Sequence, residues 1–218
     1  MDDHRIVRFT DRTHAGRLLA DRLAPMRGTD VVVLGLPRGG VPVAAEIARG
    51  LGAPLDVVVV RKLGVPGEPE LAMGAVGEGG VLVVEERVVH SARVAPEDLE
   101  LAGRRQRAEV ETRLRLFREG RPRIPLTGRI AVVVDDGIAT GSTARAACAV
   151  VRALGAARIV LAVPVCAPGS VRAVASVVDE LVCLESPRNF RAVGQFYADF
   201  RPTEDDEVIG LLAAQTAE

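Results

Sequence analysis

Residues 132–143 read Val-Val-Val-Asp-Asp-Gly-Ile-Ala-Thr-Gly-Ser-Thr, and they constrain the fold more than any other segment. An apolar run, Ile130–Val134, ends in two adjacent carboxylates. A loop of small residues follows, and then an alanine-rich stretch, Thr143–Leu154, with helical character. The order strand, acids, small-residue loop, helix builds an anion site, because loop N–H groups and the helix N-terminus converge on one spot. Gly141 permits close backbone approach, while Thr140, Ser142 and Thr143 add hydroxyl donors. Asp135 and Asp136 cannot share that anion. They suit the donors of a sugar diol, or a place beside a hydrated metal.

The rest of the chain repeats the same alternation. Val31–Leu36 and Leu55–Val60 read as strands buried on both faces, and Val41–Leu51 between them reads as a helix closed by Gly50 and Gly52. Arg158–Val163, Gly169–Val178 and Glu180–Leu184 continue as strand, helix and strand. Such alternation implies a parallel sheet with helices on both faces. Asp11–Leu23 and Asp205–Ala214 read as flanking helices, and Pro96–Glu119 as a long charged one. Gly64–Gly80 is rich in Gly, Pro and Glu and reads as an irregular excursion, with a hairpin of Met73–Val76 and Val81–Val84 around Glu78-Gly79-Gly80. Ligands of such sheets bind at the carboxyl ends of the strands, where strand order reverses. The other polar constellations also fall at strand ends. Leu36-Pro37-Arg38-Gly39-Gly40 follows the first strand, and Arg61-Lys62 follows the second.

Composition excludes several classes. With 48% apolar residues over 218 positions, the chain is globular. A net charge of −1 gives no electrostatic case for nucleic acid or an acidic membrane. The longest apolar runs are too short for a membrane span, and Met-Asp-Asp-His-Arg lacks the apolar core of a signal peptide. Cys148, Cys166 and Cys183 fit no metal spacing, and reduced buried thiols in a cytoplasmic protein are expected. Only one of the 28 basic residues, Lys62, is lysine, which marks that position as hard to replace. His14 and His90 read as structural or exposed, and His4 as uninformative.

The Asp135–Thr143 segment resembles the 5-phosphoribosyl-1-pyrophosphate (PRPP) signature of the type I phosphoribosyltransferases. That resemblance implies their α/β fold over residues 1–218 as one domain: a mostly parallel twisted sheet, a flexible hairpin loop at about 64–95 and a hood at about 186–202. It implies that Asp135 and Asp136 face the ribose hydroxyls, and that Ala139, Thr140, Gly141, Ser142 and Thr143 hold the 5-phosphate. It gives Arg38, Gly39 and Gly40 to the pyrophosphate, in a loop that the family often builds with a non-proline cis peptide. Arg61 and Lys62 resemble the Arg-Lys pair of adenine and orotate enzymes near the pyrophosphate.

Asp135, Asp136, Lys62 and Arg38 are thereby the catalytic candidates, with Mg²⁺ carried by PRPP and reaching the two aspartates through water. Glu68, Glu70 and Glu78 are either contacts to an acceptor or solvated loop carboxylates. The hood holds four of the six aromatics, Phe190, Phe196, Tyr197 and Phe200. Its rings either stack on a base, with Tyr197 and Phe196 the candidates, or bury the hood on the sheet.

The activity implied is transfer of phosphoribose from PRPP to a nitrogen acceptor, a nucleobase in most of the family, with release of pyrophosphate. The alternative is a non-catalytic PRPP or nucleotide regulator on the same fold. A PRPP synthetase would need a longer chain. PRPP and a small acceptor are the partners, with homo-oligomerisation left open. Hypoxanthine-guanine enzymes carry a third carboxylate where this chain has Ala139, which argues against a 6-oxopurine acceptor.

Overall fold

The computed structural model describes residues 9–215, so His4 lies outside it. Five strands form a parallel sheet: β1 (Val31–Gly35), β2 (Leu55–Val57), β6 (Ile130–Val134), β7 (Arg158–Val165) and β8 (Glu180–Glu185). Their order is β2-β1-β6-β7-β8, so the direction of winding reverses between β1 and β6. The loops after these two strands therefore face one another across a crevice.

Both sheet faces are buried, which is why the strands read as continuous runs of valine. On one face Val31, Val33, Val132 and Val134 pack against α1 (Arg12–Arg22), α2 (Gly40–Leu51), α4 (Pro96–Arg118) and α7 (Asp205–Ala214). On the other, Val32, Leu34, Ala131 and Val133 pack against α5 (Ser142–Ala153) and α6 (Pro168–Ala175). Asp11 starts α1 as expected, its carboxylate accepting from the His14 N–H at 2.7 Å. Burial pushes the thiols of Cys148 and Cys166 up, to about 12 and about 11, so they stay protonated.

The expected second strand, Leu55–Val60, is in fact two. Strand β2 stops at Val57. A second sheet then begins with β3 (Val60–Val65), followed by β4 (Glu68–Gly77) and β5 (Leu82–Val84), paired antiparallel in the order β3-β4-β5. The break is silent in the sequence because Val58 and Val59 stay buried as the chain passes from one sheet to the other. The expected hairpin of Met73–Val76 and Val81–Val84 is present as the end of β4 paired with β5, and the stretch before it, read as irregular, is itself paired through β3 and β4. Gly67, at φ 84, turns it between β3 and β4. A short helix that the sequence reading did not foresee, α3 (Glu86–Ser91), follows β5.

A buried ion cluster fastens this hairpin to the main sheet. Arg118, the last residue of α4, donates from Nε to Asp56 Oδ1 at 2.8 Å and from Nη2 to Glu78 Oε2 at 2.9 Å, and its Nη1 meets the other Glu78 oxygen. Asp56 also accepts the N–H groups of Val57 (2.7 Å) and Ile124 (3.1 Å). Glu78 is thus neither an acceptor contact nor a solvated loop residue. It is the hairpin's half of a clamp.

The segment expected as a hood is tied to the start of the described chain. Phe9 and Thr10 pair with it through Phe9 N–H to Phe196 O (2.8 Å), Ala198 N–H to Phe9 O (2.8 Å) and Asp199 N–H to Thr10 O (2.8 Å). Phe9, Phe196, Tyr197 and Val165 form a separate buried cluster under it.

Candidate functional site

The crevice between the β1 and β6 loops holds most of the expected residues. Helix α5 begins at Ser142 without a side-chain cap, so its first N–H groups are free to point at a ligand. Gly141, at φ 78, makes the turn into it, and an added Cβ there would meet Val174 at 2.6 Å. Ala139 and Thr140 are exposed at the rim, and Thr140 Oγ1 lies 3.0 Å from Ser142 Oγ. The loop rests on the end of β7. Ile138 N–H donates to Val165 O (2.8 Å), and Ser170 Oγ donates to Ala139 O (2.6 Å). This is a rigid cup of backbone and hydroxyl donors.

Opposite it, the Pro37–Arg38 peptide is cis, the feature associated with the resemblance. The two glycines that follow serve close approach. A Cβ on Gly39 would stand 2.0 Å from Asp136 Oδ2, and one on Gly40 would stand 2.5 Å from Val134 O. Gly39→Ala is therefore expected to displace either Asp136 or the loop. The overpacking should cost about 1–3 kcal/mol of stability, read by urea denaturation, and should weaken pyrophosphate and ribose 5-phosphate together. Unchanged affinities for both would show that the contact is slack.

The two acids differ. Asp136 is held by Arg12, whose Nε and Nη2 both reach Oδ2 at 2.8 Å. Arg12 also lies 4.0 Å over the Phe200 ring and donates to Arg201 O at 2.8 Å. Asp135 has no such partner. Its Oδ1 accepts the Asp136 N–H at 2.9 Å. Burial, with the Asp136 charge adding to it, pushes the Asp135 carboxyl well above the usual carboxylate range. Burial also raises Asp136, against the pull of Arg12. Sequence reasoning missed Arg12, whose partner is 124 positions away and which looks like an ordinary helix-surface cation.

The adjacent cations separate. Consecutive strand residues point to opposite faces. Arg61 lines a pocket of ≈ 180 Å³ with Arg38, Arg113, Phe117 and Thr143. Lys62 borders another of ≈ 380 Å³, with Leu71, Glu85, Ser142 and Arg145. Lys62 therefore shares its pocket with Ser142, at the start of α5, while Arg61 shares one with Arg38. Glu68 is exposed, and the side chain of Glu70 lies outside the described residues.

The hood rings take the second of the two arrangements open to them. Phe196 is 0% and Tyr197 3% exposed, so neither offers a face for stacking. Tyr197 lies between Phe9 (centroids 5.3 Å apart) and Phe200 (5.0 Å), and its hydroxyl donates to Asp136 O at 2.6 Å. Burial pushes that phenol's pKa up, so it remains a donor. Tyr197 braces the acidic loop from behind. The described residues include no group of three or more His, Cys, Asp or Glu side chains suited to a metal ion, and no helix among them is long and apolar enough to cross a membrane.

Comparisons with known proteins identify the chain's relatives. The profile of the phosphoribosyl transferase domain matches residues 11–201. Curated Mycobacterium tuberculosis proteins, provisionally named phosphoribosyl transferases, are 57% identical over 204 residues, or 94% of this chain. These residues are 46% of the relatives' length, so the chain spans about half of them. A crystal structure of a Thermus thermophilus protein is 48% identical with a TM-score of 0.88, covering 95% of this chain and 99% of that one. An Aquifex aeolicus protein, 10% identical with a TM-score of 0.50 over 84% of this chain and 78% of that one, shares the fold alone.

Proposed function

The chain belongs to the phosphoribosyl transferase domain family, and we propose that it transfers the 5-phosphoribosyl group of PRPP to a nitrogen acceptor. The observation that carries this reading is the pairing across one crevice of an uncapped helix N-terminus, two carboxylates and an arginine-lined pocket. These supply in turn a cup for the 5-phosphate, acceptors for the ribose diol and cations for the leaving pyrophosphate. Displacement at C1 passes through an oxocarbenium-like state, so the protein's part is to hold the charged ends and fix the ring. Ser142, Thr143 and the N–H groups after Gly141 anchor the phosphate. Asp135 accepts from the diol, with Asp136 beside it held by Arg12. Arg38 and Arg61 neutralise charge as the leaving group departs.

Magnesium fits this site as a passenger of the substrate. Asp135 and Asp136 are too few to cage the ion, which would take most of its ligands from diphosphate oxygens and water. Bound there, it would add positive charge at the leaving group. Asp135 and Asp136 would meet it through water.

The acceptor side is less nucleobase-like than the ribose side. Position 139 is alanine, so no carboxylate meets the N7 proton of a 6-oxopurine, and the Phe196 and Tyr197 rings are buried. Hypoxanthine and guanine are expected to be poor acceptors, with adenine, a pyrimidine or a non-nucleobase amine no worse. The lost general-base help is worth about 10²–10⁴-fold in rate. The test is pyrophosphate release with PRPP, Mg²⁺ and a panel of bases and amines. Efficient hypoxanthine turnover would overturn the acceptor reading. The same buried rings favour a second reading, a non-catalytic PRPP or nucleotide regulator. Tight PRPP binding with no acceptor turned over would select it.

A further inference from the structure

The pocket beneath Arg38 is lined by three arginines from three separate elements. Arg38 comes from the loop after β1, Arg61 from β3 and Arg113 from α4. Helix α4 buries Val110, Leu114 and Phe117 on its inner stripe, which leaves Arg113 on the flank of that stripe, turned to the pocket. Arg38 and Arg113 approach the same Asp205 carboxylate, and two such forks in an arginine-lined pocket match an anion with many oxygens. Their charge is met from α7. Both oxygens of Asp205 lie 3.2 Å from Arg113 Nη1, and Asp205 Oδ1 and Glu204 Oε2 each lie 3.7 Å from Arg38 Nη1.

These pairs are half-exposed, the Arg113 and Asp205 side chains at 38% and 34%, and the Arg38 contacts are too long for hydrogen bonds. Exposed pairs of this kind hold weakly and exchange readily. Diphosphate presents more charge and more acceptor oxygens to the same two arginines than a carboxylate does.

We infer that Arg113 is a third pyrophosphate ligand and that Asp205 is its resident counter-ion, displaced when the diphosphate binds. This rests on the reading of the crevice as a PRPP site. It makes α7 a competitor built into the fold: Asp205 lowers affinity for pyrophosphate by occupying Arg38 and Arg113 in its absence. A purely structural tie between α4 and α7 would behave differently. Breaking it from either end would then have the same effect.

The experiment is calorimetric titration of the whole chain with inorganic pyrophosphate and, separately, ribose 5-phosphate, both with Mg²⁺. Arg113→Ala is expected to weaken pyrophosphate binding at least about tenfold, the scale of a lost charge-assisted bond, and to leave ribose 5-phosphate within about twofold. Arg113→Lys should recover part of the loss. Asp205→Asn is expected to move pyrophosphate affinity the opposite way, tightening it several-fold. Weakening by both Arg113→Ala and Asp205→Asn would overturn the inference, as would an Arg113→Ala protein with unchanged pyrophosphate affinity. Wild-type protein that binds ribose 5-phosphate but not pyrophosphate would defeat this inference alone. Wild-type protein that binds neither would defeat the PRPP reading with it.

Discussion

Truncating Arg118 to alanine is expected to cost roughly 3–5 kcal/mol of folding stability, the range found when one partner of a buried ion cluster is removed. Arg118 is 7% and Asp56 4% exposed, and Glu78 closes on the guanidinium from the hairpin. Burial alone would lower the arginine's pKa. Its two carboxylate partners outweigh that and hold it above its usual value. The loss is not the net worth of the cluster, which desolvation of three charges reduces greatly. It is the cost of leaving Asp56 and Glu78 facing each other with no cation. Asp56 keeps the N–H groups of Val57 and Ile124, so it stays in place. The hairpin should suffer most, because Glu78 is its tether. Urea denaturation of Arg118→Ala measures the loss. Amide hydrogen exchange in β4 and β5 should quicken beyond what the global change explains. A loss below about 1 kcal/mol, the worth of a surface pair, with unchanged exchange in β4, would show that the hairpin holds without the clamp.

That cluster marks where the sequence stopped being legible. The parallel sheet could be read because each strand is a run of apolar residues followed by a break. The site loop could be read because its acids, glycine and hydroxyls are consecutive, so their grouping survives without a structure. Asp56, Glu78 and Arg118 come from three distant elements, and none has a local pattern that differs from a solvated charge. Arg12 with Asp136, and Arg113 with Arg38, are invisible for the same reason. The buried valines at 57–60 gave a clear signal with the wrong meaning, because hydrophobicity reports burial and not which sheet does the burying. Lys62 stood out by rarity and sat next to Arg61 in sequence, yet the alternation of a strand turns the two into different pockets. The hood aromatics could be read as surface or core with equal force. Phe9, far from Phe196 along the chain, supplies the partner that makes them core.

The two neighbouring acids are expected to respond unequally to amidation in stability. Asp135 is desolvated without a cation of its own, and its folded pKa is raised. The fold therefore binds this proton more tightly than the unfolded chain does. A group of that kind favours the fold below the ordinary carboxylate pKa, and the contribution is lost as pH rises through the raised value. Asp135→Asn removes this loss, and the carboxamide oxygen can still accept the Asp136 N–H. The variant should melt above wild type at pH 7–8, and the gap should close near the unfolded carboxylate pKa of about 4. Asp136→Asn should gain less at neutral pH, because Arg12, only 12% exposed, pulls against the burial that raises Asp136 and loses its counter-charge in the variant. Ligand binding should not divide in this way. A diol donates better to an ionised acceptor, so Asp135→Asn is expected to weaken ribose 5-phosphate by about 1–3 kcal/mol. In wild type, that affinity should fall as pH drops through the Asp135 pKa, with protons released on binding. Titrations in buffers of different ionisation enthalpy would detect the release. Greater stability together with weaker binding would identify Asp135 as a residue kept for the ligand at the fold's expense. An Asp135→Asn protein that melts below wild type at pH 7 and binds ribose 5-phosphate unchanged would reverse that assignment and make Asp135 a structural acid.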